Sequence, residues 1–177
     1  MLTMLLVSAL ELAAPDWRAA QCQGEHVTGR YTNFAEGFSV QVPSAYVGRR
    51  GSQSGPERGV SIALTPNCDA FIVLYGEPNS LEWKAPQEGL ERLVNEATQT
   101  DASVTSRRHT AKLGRLPASA VTMTQSGTDQ IEEAVMAFRP RGGPVYTATL
   151  VTSKGRYRQD KATLEQVLST FRLEPWR

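Results

Sequence analysis

Histidine and cysteine each occur only twice in 177 residues, and no apolar run approaches the roughly 20 residues of a membrane-spanning helix. A histidine-based metal site would need His26, His109 and carboxylates together, and nothing in the spacing gathers them. An excess of charge of either sign is missing too. The 19 Lys and Arg stand against 18 Asp and Glu, a net charge of +1, which argues against a nucleic-acid binder or a polybasic membrane anchor. The sequence has no G-x-S-x-G, since Gly51-Ser52-Gln53-Ser54-Gly55 carries Gln53 at the nucleophile position. It also lacks S-x-x-K, a P-loop, G-x-G-x-x-G, H-E-x-x-H and an EF-hand loop. Asp69 beside Cys68 would oppose a reactive thiolate rather than favour one. No catalytic residue, metal or cofactor is expected. The catalytic reading left is a hydrolase whose groups are scattered along the chain.

What is present suits a single domain. A chain of this length buries about two-thirds of its unfolded surface without needing a metal. Met1 to Ala14 reads MLTMLLVSALELAA and has the length of a signal-peptide core. Glu11 interrupts it, no Lys or Arg precedes Arg18, and no clean A-x-A site follows. We read residues 1–21 as a leader and 22–177 as one α+β domain, periplasmic or secreted. The other reading is an amphipathic N-terminal helix on a cytoplasmic protein. Lipidation at Cys22 would need a small residue where Gln21 stands. In an exported chain Cys22 and Cys68 are expected to form a disulfide; in a cytoplasmic one they are two unrelated buried thiols.

Periodicity sets out the elements. Phe38 to Val42 alternates strictly and stops at Pro43, as a half-buried strand does. Gly48 to Gly59 carries four Gly and one Pro and reads as a mobile loop. Val60, Ile62 and Leu64 alternate again, and the apolar run Ala70 to Tyr75 predicts a central strand covered on both faces. Pro86, Glu88 and the spacing of Leu90, Leu93, Val94 and Ala97 predict a helix, with Trp83 packing on the sheet before it. Four strands follow as a meander, with cores Val104–His109, Ala118–Gln125, Ile131–Phe138 and Val145–Thr152. Asp160 is placed to cap a last helix with Leu164, Val167, Leu168 and Phe171 on its buried stripe. Bunched strands with two amphipathic helices imply an α+β sandwich with a mostly antiparallel sheet of six to seven strands. The expected core is Phe38, Val40, Val42, Ile62, Leu64, Ile72, Leu74, Leu90, Val94, Val121, Val135, Leu150, Leu164, Leu168 and Phe171.

Three stretches carry a resemblance. Gly37-Phe38-Ser39-Val40-Gln41-Val42-Pro43, the meander, and a terminal helix running into Leu168-Ser169-Thr170-Phe171-Arg172-Leu173 resemble the PsbP-like superfamily, which includes bacterial envelope proteins of the DcrB type. Leu113-Gly114-Arg115-Leu116-Pro117-Ala118 and the run Arg139 to Tyr146 are similar to stretches of small proteobacterial members. The resemblance covers about Tyr31 to Leu173 and rests on patterns of fold. It implies a non-enzymatic domain that binds another protein, and it transfers no catalytic residue.

Charge is distributed unevenly. Six acids lie between Glu77 and Asp101, whereas Arg107–Arg115 holds four cations and Arg139–Arg158 five, neither with an acid. Alternate reversals of a meander share an end, so Lys112, Arg115, Arg139 and Arg141 are expected on one basic rim facing an acidic protein or envelope component. The plainer account is that Gly and Arg make soluble turns. His109, after Arg107-Arg108, is expected to face solvent. With the leader, the resemblance implies an exported, non-enzymatic binding or accessory protein of the bacterial envelope, or, if the N-terminal segment is retained, a cytoplasmic adaptor or chaperone of the same fold.

Overall fold

Strands buried along nearly their whole length imply a sheet covered on both faces, and Phe71–Pro78, Gln130–Phe138 and Pro144–Ser153 are such strands. A computed structural model describes residues 24–50, 59–140 and 143–175. In chain order the elements are β1 (Glu25–Val27), β2 (Gly29–Asn33), β3 (Phe38–Val42), β4 (Val47–Arg50), β5 (Gly59–Ala63) and β6 (Phe71–Pro78). There follow α1 (Pro86–Thr100), β7 (Val104–Leu113), β8 (Leu116–Gln125), β9 (Gln130–Phe138), β10 (Pro144–Ser153), α2 (Tyr157–Ser169) and β11 (Arg172–Leu173). Eight strands form one sheet in the order β1-β4-β5-β6-β10-β9-β8-β7, and β11-β3-β2 form a smaller one. All pairings are antiparallel.

The β7–β10 meander and the central place of β6 follow the sequence pattern. The large sheet is wider than the six to seven strands expected. The short polar strands β1 and β4 extend it, and β2 with β11 brackets β3 in a separate layer. The segment read as a loop from Gly48 begins inside β4, and residues 51–58 lie outside the described residues.

One face of the large sheet presents Ile62, Ile72, Leu74, Ala120, Val135, Ala148 and Leu150 to Leu164, Val167 and Leu168 of α2 and to Tyr31, Phe38 and Val40 of the small sheet. The other face takes Leu90, Val94 and Ala97 of α1 against Val121, Met123, Ala134 and Met136, with Trp83 packed beside them. Every residue of the expected core is buried. Helix α1 lies so close to the sheet that a Cβ on Gly89 would sit 2.4 Å from the Met136 sulfur.

Pro86 stands in the first turn of α1, with Ala85 at the N-cap, as its fixed φ favours. Helix α2 begins four residues earlier than the Asp160 cap implied. Arg156 holds the N-cap position, and Asp160 is fully buried inside the first turn. Its carboxylate accepts from Thr152 Oγ1 at 2.5 Å and from Arg156 Nη2 at 2.9 Å and Nε at 3.1 Å, fastening the helix start to β10. A buried charge is tolerable only when so satisfied.

Candidate functional site

The Ala118↔Ala137 register places the Leu113–Leu116 reversal and the Phe138–Pro144 reversal at one end of the sheet. Lys112 and Arg115 are exposed there, and Arg141 lies outside the described residues. Arg139 turns inward. Its Nη1 donates to Gly37 O at 3.0 Å and Tyr146 Oη at 3.1 Å, and its Nη2 to Glu174 O at 3.0 Å. Arg139 thus clamps the β2–β3 turn and the segment after β11 to the meander, leaving its guanidinium committed within the molecule. Gly114 is also committed. Its φ is +59°, an added Cβ would lie 2.2 Å from Phe171 O, and its N–H donates to Leu168 O at 2.8 Å. That tip rests on the end of α2 instead of offering its backbone to a partner.

Exposed apolar side chains gather at the same end. Leu173 pairs with Phe38, the β2–β3 turn holds Phe34, and the Pro78↔Pro144 register brings Leu81 there from the β6–α1 connection. Phe34, Leu81 and Leu173 are three of the four large hydrophobics exposed among the described residues. Arg172 is exposed beside the Gly114 tip. Glu174 is neutralised locally: the Ser39 hydroxyl donates to it at 2.6 Å and Arg30 pairs with it, which together hold its carboxyl below the usual range.

Two adjacent glutamates of β9 point to opposite faces, as the pleat requires. Glu133 lies toward α2. Lys161 Nζ donates to its oxygens at 3.0 and 3.1 Å, Tyr157 Oη donates to it, and His109 Nε2 lies 3.2 Å from Oε1. Burial opposes the Lys161 charge, but the Glu133 carboxylate outweighs it and raises the ammonium above its ordinary range. Burial, reinforced by Glu133, likewise raises the Tyr157 phenol. Instead of facing solvent freely, His109 joins this cluster, half-buried, at the β7 edge. With its donors in place Glu133 fastens α2 to the sheet.

Glu132 lies on the α1 side, in register with Met123 on β8 and Val151 on β10. It is 7% exposed, and burial alone pushes its carboxyl up to about 8. On the same face, burial raises the Tyr75 phenol strongly, with Glu77 adding to the effect.

Cys68 is fully buried at φ 56° in the connection from β5 to β6, and Cys22 lies outside the described residues. His26 on β1 sits opposite Arg49, across the sheet from His109 on β7. Among the described residues no three His, Cys, Asp or Glu side chains are placed to hold a metal ion, and no helix is long and apolar enough to cross a membrane.

No family model matches the chain, and no curated protein matches it. Solved structures do. Cyanobacterial PsbP (CyanoP) from Synechocystis superposes with a TM-score of 0.57 at 15% identity, covering 86% of this chain and 96% of that one. The fold is PsbP-like. LpqN, involved in cell envelope biogenesis of Mycobacterium tuberculosis, superposes with a TM-score of 0.51 at 14% identity, covering 86% of this chain and 91% of its own. The Ran-binding protein Mog1p of Saccharomyces cerevisiae gives 0.52 at 8% identity, covering 84% and 96%. Such identities establish the fold alone.

Within this PsbP-like frame, Lys112 and Arg115 stand on the expected rim with their side chains outward. The inward turn of Arg139 was not readable locally, because its acceptors lie 102 and 35 residues away in sequence. The Glu132-Glu133 pair also escaped the sequence reading. Its only signal is two charges inside an otherwise apolar strand.

Proposed function

We propose that this PsbP-like chain is an exported, non-enzymatic binding or accessory protein of the bacterial envelope, whose basic end engages an acidic partner. The observation that carries this reading is the meeting of exposed cations with Phe34, Leu81 and Leu173 at one end of the sheet. Cations steer and select an acidic partner while apolar side chains supply buried area. The Ran-binding and cell-envelope proteins that share the fold are consistent with a binding role in the envelope. The test replaces Arg115 and Arg141 with Ala together and uses the tagged protein to capture partners from native envelope and cytosolic fractions. Capture from the envelope fraction is expected to fall and lose salt sensitivity, while the melting temperature holds or rises as cation repulsion is relieved. Unchanged capture overturns the rim as a binding site.

Export and the Cys22–Cys68 bond stand together in this reading. The residues are 46 positions apart, and closing that loop contributes about 4 kcal/mol in the chain-entropy model. The bond would tie the segment before β1 to the connection entering β6. Mass spectrometry of the native protein is expected to show loss of the leader and two fewer thiol hydrogens. A retained leader with both thiols free supports the cytoplasmic adaptor or chaperone instead.

A further inference from the structure

The edge of the large sheet formed by β7 is ten residues long and, among the described residues, pairs only with β8. Strands usually run about 5–6 residues, and long open edges are normally shortened, bulged or covered. This one contains no proline, and its register with β8 is unbroken from Val104 to Leu113. Thr105, Ser106, Arg107, Arg108, Thr110 and Lys112 are exposed along it. The pleat sends Arg108 and Lys112 to the α1 side and Arg107 to the α2 side, so cations flank both sides of the edge. No Asp or Glu occurs from Val104 to Leu116. The acids nearby are Asp101 just before the strand, which accepts from the Ser103 N–H and the Gln125 side chain, Glu91 of α1, 3.5 Å from Arg108 Nη1, and Glu133, held by Lys161 and Tyr157 below His109. The opposite edge, β1, has three residues, and its Glu25 is paired with Arg50.

We infer that the β7 edge docks an extended, acidic segment of a partner protein as an added strand. This rests on the reading that the partner is acidic, and it specifies how that partner is held. The open backbone groups of β7 supply main-chain hydrogen bonds, and Arg107, Arg108 and Lys112 select for acids on both faces of the incoming strand. The same cations disfavour a second copy of this chain, since an antiparallel β7–β7 pairing would bring two cationic edges together. The edge runs into the Arg115 tip, so strand and rim form one continuous basic surface.

The experiment uses the full-length protein with three synthetic peptides of about eight residues, near a typical strand length. One repeats Glu-Glu-Val-Val, which puts acids on both faces of a strand, one carries Lys for Glu, and one keeps the acids but has two prolines. The Glu/Val peptide is expected to bind and to slow amide hydrogen exchange across residues 104–113. The proline peptide should bind at least about tenfold more weakly, and the Lys peptide not at all. Arg107→Ala with Arg108→Ala, at an unchanged melting temperature, should weaken the Glu/Val peptide by about tenfold. Equal binding of both acidic peptides without slowed exchange in β7 overturns the added-strand mode while the acidic-partner reading stands. Failure of both to bind also overturns it, and the Arg115 and Arg141 capture experiment decides the broader reading independently. Exchange slowed by protein concentration alone, without peptide, would assign the edge to a second copy and overturn the proposal.

Discussion

Replacing Glu132 with Gln is expected to make the protein more stable at pH 8.5 and to leave it nearly unchanged at pH 4.5. Burial raises this carboxyl from 4.5 to about 8, so between those values the native state holds a proton that the unfolded chain has released. A group with a raised folded pKa contributes fully below the unfolded value, and its contribution is lost as pH rises through the folded one. The slope is about 1.4 kcal/mol per pH unit, and the whole window amounts to roughly 3–5 kcal/mol. Glutamine keeps the shape and cannot ionise, so the variant should lack this slope. For a chain of this size the gap at pH 8.5 corresponds to a rise in melting temperature of roughly 10 °C. Thermal melts of both proteins across pH 4.5 to 8.5 decide it. Parallel curves would show that Glu132 ionises in the folded protein as easily as in water.

Phe171→Ala is expected to cost roughly 3–5 kcal/mol, near the upper end for a core truncation. Phe171 is 1% exposed, stacks on Phe38 at 5.7 Å and meets Tyr146 edge-on at 5.0 Å. Those three rings join α2, the small sheet and β10, so the cavity opens where three elements meet and cannot collapse by moving one of them. The melting temperature should fall by roughly 10 °C or more. Exchange should speed first in β3 and β11, whose pairing of Leu173 with Phe38 depends on this contact. A melting temperature near that of the parent would show that the end of α2 does not close the domain.

The contrast between what the sequence foretold and what it concealed has a physical basis. Long elements announce themselves: burial imposes the helical period on α1 and α2, and the strands of the meander are long runs bounded by Gly, Pro and Asp reversals. Strands β1, β2, β4 and β11 are short and polar; Glu25-His26-Val27 and Val47-Gly48-Arg49-Arg50 show no alternation a reader could trust. Their pairing is set by neighbours distant in sequence. Asp160 looks like a cap because an aspartate before an apolar period usually is one, yet Thr152 and Arg156 draw it into the first turn. The rim was half legible. Topology placed both tips at one end, but whether a cation faces out depends on acceptors such as Gly37 O and Glu174 O, which only the folded chain supplies.

The small sheet also sets an order of events in time. The bonds from Arg30 and Ser39 to Glu174 span 144 and 135 residues, and such distant contacts close late because chain entropy must be lost before they form. A chain emerging from its N-terminus can pack Phe38 against Tyr31 and then Tyr146, but the Phe171 face of the ring stays uncovered until α2 has been made. Folding therefore cannot finish piecemeal during synthesis. The nascent protein stays open until its final turn of helix arrives, the interval in which unfolded chains aggregate or are held by other proteins.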